Sequence, residues 1–524
     1  MFRKLLLAGV LCLAPSLAHA EWQQGKSEHF LVYADDSPEK VKATTAQLER
    51  FDRAVRVALN LRDREVGSNA RVIVFVLPSM ADVQKMLGMK NSNVGGYYRG
   101  SYPSGPFAFV PAQSPSDSSG MLSPRTVLQH EYTHHLMYSS WGDVVFPTWF
   151  SEGFAELFAT AKTLRDGGVV IGAGPTYRMY GMSRMNDLPV EQLVAGRPDY
   201  RDAMQMQIFY GRSWLLTHYL MFDKDRSKQL AAYIAAINEG KPAKEAEAAL
   251  GLTSSLDLKL NAYGARKGLP ATELSASELP IGEVTTRPLT PGEAAVMPAM
   301  MRSYNGVDQK LAKEVVAQAR QLAAPYPNDA GAQNALAEAE FDAGNLAEAN
   351  AAADRALAAD PKSVHALIYK GMAQMAIAKK AENKDPAVWT VARRWFLAAN
   401  KIDPLYSWPP QLYYESFGQA GQGAPKSARD AMLYAYKLSP QNIGLRLQAS
   451  RVLLQDGETK AARVALEPIA YSPHGGDLAD QAKRMIAALD SGGTAVALAV
   501  LQADAAKAKK EAEDAKAKPA DKKN

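Results

Sequence analysis

Prolines recur through the second half of the chain at Pro291, Pro327, Pro361, Pro404, Pro440 and Pro473, with spacings of 36, 34, 43, 36 and 33 residues. The stretches between them carry apolar residues at helical intervals. A unit of about 34 residues cannot bury its apolar face alone, so it stacks on its neighbours as a helix-turn-helix solenoid. The longest step implies an insertion near "KKAENKDPAVW" (379–389).

The clearest unit is "AQNALAEAEFDAGNLAEANAAADRALAADP" (332–361). Leu336 and small Ala337 allow close packing in its first helix, and Gly344 makes the turn. Ala349 and Ala356 pack the second helix, which Asp360-Pro361 ends. In these small-residue, turn and terminal positions the unit resembles a tetratricopeptide repeat. The resemblance implies an all-α repeat region over 291–480 with a concave surface open to a protein partner.

The chain has 524 residues, too many for one core, so more than one domain is expected. Arg3 and Lys4 precede the apolar run Leu5 to Leu13, and Ala18-His19-Ala20 offers small residues for cleavage, which reads as an export signal over 1–20. The mature chain is then periplasmic or secreted. Its apolar core is too short to span a membrane, and no membrane-length apolar run is evident beyond it. Cys12, the single cysteine, lies inside it. The mature chain therefore has no disulfide or thiolate, and any zinc must be held by histidine and carboxylate. After removal of the signal, 58 basic residues face 55 acidic ones. That balance points to no nucleic acid partner.

Between signal and repeats the reading is an α+β lobe over 21–265. "HFLVYAD" (29–35) and "ARVIVFVLP" (70–78) read as strands, the second buried, with an amphipathic helix over 39–61 between them. Ser79 can cap the helix "MADVQKMLG". "PFAFVPA" (106–112) reads as a strand at a sheet edge, because prolines bound it. From Ser123 to about residue 265 the pattern is helical. Composition marks 266–290 as a linker, and the Ala/Lys-rich tail within 481–524 as helical or disordered.

Ser123-Pro124 starts a helix that carries His130-Glu131-Tyr132-Thr133-His134. Residues four apart share a helical face, so His130 and His134 can reach one ion. Glu131 lies beside the first of them, where it can take a proton from a water on the ion. After a loop and Pro147, a second helix reads "WFSEGFAE" (149–156), with Glu152 18 positions after His134. Small Gly153 and Ala155 let two helices approach closely enough to share an ion.

The pair "HEYTH" and "WFSEGFAE" resembles the motifs of the gluzincin (HExxH…E), peptidase-MA-like zinc metallopeptidases, in particular their aminopeptidase branch. The resemblance covers about residues 21–265, and its specific motifs about thirty of these. It implies a zincin-like fold, one Zn2+ per chain held by His130, His134 and Glu152, Glu131 as general base, and Glu156 as an acid orienting a ligand histidine. Tyr210 in "FYGRSW" corresponds to the tyrosine that stabilises the oxyanion in that branch, although Arg212 and Ser213 stand where a lysine and a glycine are usual. The Gly-x-Met-Glu-Asn motif that grips a free amino terminus is absent, so aminopeptidase activity is not implied.

The expected architecture is an α+β zincin-like catalytic domain followed by an all-α helical-repeat (TPR-like) solenoid. The expected function is an exported zinc endopeptidase acting on a peptide or protein substrate, with the edge strand 106–112 able to pair with an extended peptide. Two alternatives stand beside it. One is a non-catalytic zincin-fold scaffold whose repeats mediate protein–protein interaction. The other is hydrolysis of a non-protein amide such as a cell-wall peptide bridge. His29, His218, His365 and His474 lack supporting neighbours and read as structural or surface residues, and Trp149, Phe150 and Phe154 as core.

Overall fold

The computed structural model describes residues 21–63, 65–88, 96–100, 105–112, 123–183, 187–196, 201–251, 255–472 and 476–517. The export signal 1–20, Pro473 and His474 lie outside the described residues. The first half contains β1 (Trp22–Lys26), β2 (Phe30–Asp35), α1 (Pro38–Ala58), β3 (Val72–Leu77), α2 (Met80–Met86), β4 (Tyr97–Arg99), β5 (Phe107–Pro111), α3 (Pro124–Ser140), α4 (Thr148–Ala159), β6 (Lys162–Thr163) and β7 (Val169–Ile171). It continues with α5 (Met179–Ser183), α6 (Val190–Ala195), α7 (Ala203–Met221), α8 (Lys224–Asn238), α9 (Ala243–Ala249), α10 (Leu256–Gly264), β8 (Thr272–Leu274) and β9 (Thr285–Pro288).

Six strands form a mixed sheet in the order β4-β5-β3-β2-β1-β9, with β2, β3 and β5 parallel and the remaining pairs antiparallel. β3 explains why its sequence is a continuous apolar run. Val72 and Val74 enter the core shared with α1, while Phe75 and Leu77 enter a core on the other face. A strand buried on both faces has no polar alternation to show.

Three expectations need correction. The strand at 106–112 is not at an edge: β5 bonds β3 on one side and β4 on the other. Its prolines sit just before the strand and at its last position, where a missing N–H costs the ladder least. The edges are β4 and β9. The segment 266–290 is no loose linker either, since β8 pairs with β7 and β9 with β1. Lastly, Gly153 does not bring α4 against α3: it faces α7, where an added Cβ would lie 2.3 Å from the Ser213 carbonyl oxygen.

The second half is all helix: α11 (Pro291–Tyr304), α12 (Gln309–Ala323), α13 (Ala330–Asp342), α14 (Leu346–Ala359), α15 (Val364–Lys380), α16 (Pro386–Ile402), α17 (Trp408–Gln419), α18 (Lys426–Leu438), α19 (Ile443–Gln455), α20 (Thr459–Ala470) and α21 (Gly476–Ala517). Successive helices pack as neighbours along the series, which is a helical-repeat architecture. In α13–α14, Ala337, Ala349, Ala352, Ala353 and Ala356 are fully buried, and Gly344 takes φ 78° in the turn. The next unit repeats the logic with Gly371 against the Phe396 ring and Ala392 and Ala399 buried. The insertion expected there is spread over the unit. α15 and α16 have 17 residues each where α13 and α14 have 13 and 14, and the connecting turn is longer.

The tail is helical to Ala517 and partly packed: Ala482, Met485, Ile486, Leu489 and Ala497 join Leu466 and Ile469 in one core. The repeat packing therefore runs past residue 480. Contrary to the sequence reading, Gly476–Asp504 is long and apolar enough, by length and composition, to cross a membrane. It is not one rod. Gly493 breaks the helix at φ 73°, and Asp504 returns to accept hydrogen bonds from Gln481 and Arg484.

The solenoid is seated on the lobe. Met297, Met301 and Tyr304 of α11 cover Phe75, Phe107 and Phe109 on the second face of the sheet. Farther along, buried Asp403 accepts hydrogen bonds from the Asn69 backbone N–H and its side-chain Nδ2 at 2.9 and 2.8 Å.

Candidate metal centre

α3 starts where the sequence places it. Ser123 Oγ accepts from the Thr126 N–H at 3.1 Å, and Pro124 occupies the first turn. Its back face is locked to α1 by buried polar contacts: Tyr132 Oη donates to Asp52 at 2.7 Å, and Arg56 Nε to the same carboxylate at 2.7 Å. Beside them His29 Nδ1 bonds Glu49 at 2.6 Å. Burial lowers the His29 pKa, but the hydrogen bond to Glu49 and the charge of Asp52 outweigh it and the net shift is upward. Glu28, His29 and Glu49 lie close enough to be considered for an ion, yet His29 Nδ1 and both Glu49 oxygens are already engaged with each other's residue and Glu28 is exposed.

The front face of α3 carries His130 and His134 toward α4. Their ligand atoms and a Glu152 oxygen all lie within 4.8 Å of one another. His130 Nε2 is 3.4 Å and His134 Nε2 3.6 Å from the same oxygen, Glu152 Oε2. Bonds of about 2.0–2.2 Å in a tetrahedral zinc site set neighbouring ligand atoms about 3.3–3.6 Å apart. Two imidazoles and one carboxylate at those separations fit zinc. Glu152 is fully buried. A carboxylate taken out of water needs positive charge beside it.

Each imidazole also has a neighbour for its other nitrogen. His130 Nδ1 is 3.6 Å from Glu156 Oε1, and His134 Nδ1 is 3.5 Å from Ser151 Oγ, which in turn bonds the Tyr138 hydroxyl at 2.8 Å. Such contacts fix tautomer and ring orientation. Burial lowers the His130 pKa, but the hydrogen bond to Glu152 and the charges of Glu156 and Glu131 raise it to about 8. Burial would raise the Glu156 carboxyl, while Arg178 and His130 hold it below its ordinary value. Glu131, half-buried, projects its charge on both His130 and Tyr98 of edge strand β4. The Tyr210 ring on α7 lies 6.0 Å from the His130 ring. All six residues singled out by the motifs therefore gather in one place.

Residues 125–244 match the model of a family described as "Protein of unknown function (DUF1570)", a span that holds all six. No curated protein matches the chain. A thermophilic TPR protein of Thermus thermophilus is similar at 15% identity and a TM-score of 0.32, over 36% of this chain and 97% of that one. A likeness that loose carries no argument, and the repeat architecture rests on the helix pairs themselves.

Four contributors escaped the sequence reading. The Tyr177 hydroxyl donates to Glu156 Oε2 at 2.6 Å, and Arg178 donates to Glu156 Oε1 through Nε at 3.1 Å and a terminal nitrogen at 2.7 Å. They come from a three-residue 3-10 turn, Thr176–Arg178. Ser151 and Tyr138 had a visible signal: one precedes Glu152, and the other follows His134 by one helical turn.

Proposed function

We propose that the chain is an exported zinc-dependent endopeptidase of the gluzincin type. The observation that carries the reading is the convergence of His130 and His134, 3.4 and 3.6 Å from one Glu152 oxygen, with Glu131 on the same helical turn. These three residues would hold the ion, which when bound supplies Lewis acidity and lowers the pKa of water toward neutrality. Glu131 accepts the proton of the attacking water and passes it to the departing amine. The Tyr210 hydroxyl donates to the oxygen on which negative charge develops. Glu156 and Ser151 keep the two imidazoles in register. β4, the sheet edge on the Glu131 side, offers backbone groups to an extended peptide.

The second reading is a protein-interaction scaffold, favoured by the helical-repeat architecture. Part of the repeat surface is already taken in cis: His365, Ile368, Tyr406 and Trp408 enclose a small cavity with Leu31, Tyr33 and Ile73 of the sheet. A partner would use the rest.

Glu131→Gln separates the two. Residues 21–524 and this variant are loaded with zinc and given a proteome-derived peptide pool. The endopeptidase reading expects cleavage by the wild type and a loss of about 10²–10⁴-fold in the variant at equal zinc content. A wild type that holds zinc and cleaves nothing in the pool removes it.

A further inference from the structure

We propose that Arg178 is the positioning residue that couples the two sides of the metal centre. One edge of its guanidinium holds Glu156, the carboxylate beside His130, and its central carbon lies over the ring of Tyr210. The catalytic half of this inference rests on the endopeptidase reading, while the ligand-orienting half does not.

The geometry is that of a bracket. Arg178 donates two hydrogen bonds to Glu156 Oε1, the same oxygen that lies 3.6 Å from His130 Nδ1. Tyr177 fixes the other oxygen. The carboxylate is thus held at both oxygens and cannot rotate without breaking three bonds. The Arg178 guanidinium carbon sits 4.7 Å from the centre of the Tyr210 ring, a cation–π contact made by a largely buried cation, with the Arg178 side chain 13% exposed. Only an arginine offers a planar fork and a stacking face together, because a lysine ammonium is a point charge.

The bracket is itself anchored. The Arg178 N–H donates to the Pro175 carbonyl at 2.8 Å, closing the turn, and α5 follows at once. In α5, Gly181 lies so close to α7 that a Cβ would come within 2.1 Å of the Gln207 carbonyl oxygen. Gly211, one residue after Tyr210, packs on Met182 of α5 in the same way. The turn carrying Arg178 therefore rides on the helix carrying Tyr210. A shift of α7 moves the phenol and the arginine together, and through Glu156 reaches His130.

The test compares full-length mature protein with Arg178→Met, Arg178→Lys, Glu156→Gln, Tyr210→Phe and the doubles Arg178→Met/Glu156→Gln and Arg178→Met/Tyr210→Phe. Zinc affinity is read by competition with a chromophoric chelator, and site geometry by the visible spectrum of the cobalt-loaded protein. Arg178→Met is expected to weaken zinc binding by about 10–100-fold, with Glu156→Gln matching it and the double little worse. Arg178→Lys is expected to recover thermal stability but not zinc affinity, which separates positioning from folding. On a cleaved peptide, kcat should fall with KM nearly constant, and the losses of Arg178→Met and Tyr210→Phe should be less than additive.

Zinc affinity and cobalt spectrum unchanged in Arg178→Met overturn the proposal, as does full recovery by Arg178→Lys. So does strict additivity with Tyr210→Phe. If the wild type binds zinc but cleaves nothing, the endopeptidase reading fails alone and the zinc competition still decides the Glu156 half. A wild type that binds no zinc removes both.

Discussion

Gly153→Ala is a one-carbon perturbation whose effect follows from the packing of α4 on α7. The added Cβ would stand 2.3 Å from the Ser213 carbonyl oxygen, 2.3 Å from Thr217 Oγ1 and 2.6 Å from the Ser213 carbonyl carbon. Thr217 can turn its hydroxyl away, but the Ser213 backbone cannot. Ordinary carbon–oxygen contact begins near 3.4 Å, so the two helices must part by about 1 Å. Overpacking of this kind costs about 1–3 kcal/mol. Alanine returns about 1 kcal/mol through its better helix propensity. The net loss is about 0–2 kcal/mol, equivalent to a fall of at most about 8 °C in Tm for a unit of this size. The chemical effect should be larger. Glu152 is the residue before Gly153, and Tyr210 lies one turn before Ser213 on α7. Parting the helices therefore moves Glu152 away from the phenol. A misplacement of about 1 Å can lower turnover by about 10²-fold. Thermal unfolding and kcat on a cleaved peptide measure the two effects. A variant with wild-type Tm and wild-type kcat would refute the argument that this contact sets the spacing between Glu152 and Tyr210.

Two further predictions concern stability. His218 is fully buried, and burial lowers its pKa to about 4, with Tyr263 and the Gly172 carbonyl meeting its two nitrogens. The unfolded chain takes up this proton near pH 6.5 and the folded chain only near pH 4. The stability that the neutral imidazole provides is therefore complete above 6.5 and is lost as pH falls toward 4, by up to about 3 kcal/mol. Denaturant midpoints across that window should drop less steeply in His218→Gln, and equal slopes would count against the assignment. Asp403→Ala strands the two Asn69 donors at the seam between lobe and solenoid. It should cost about 1–3 kcal/mol and speed proteolysis near Asn69, whereas an unchanged digestion pattern would show that the seam does not depend on this carboxylate.

What the sequence revealed was what local spacing encodes. Ser123-Pro124 marked the start of α3, and the four-residue interval put His130 and His134 on one face. The alanine pattern of 332–361 showed how closely α13 and α14 pack. What it concealed was the identity of partners. The small size of Gly153 signalled a close approach, but nothing local says that the neighbour is α7 and not α3. Prolines at both ends of β5 suggested an edge, because the strand that covers it, β4, is only three residues long and leaves no apolar period. Tyr177 and Arg178 sit in a turn with no periodicity at all, and only the fold brings them under Glu156.

The seating of the solenoid bears on the candidate metal centre more directly than a tethered domain would. The connection between α3 and α4 joins the helix of His130 and His134 to the helix of Glu152, and two of its residues are held by distant repeats. Asp143 accepts from the Tyr436 hydroxyl at 2.8 Å, and the Gly142 carbonyl accepts from the Arg446 guanidinium. Gly142 also packs so tightly on Pro440 that a Cβ there would lie 2.6 Å from the proline ring. Arg446 is buried and also reaches the Ala465 carbonyl in α20, so the grip passes through the repeat into its neighbour. Meanwhile α11 supplies the apolar cover for the sheet behind α3. The repeats thus touch the lobe at the sheet that supports one ligand helix and at the loop that sets its angle to the other. The candidate zinc ligands and the solenoid share the α3–α4 connection and the sheet as common supports.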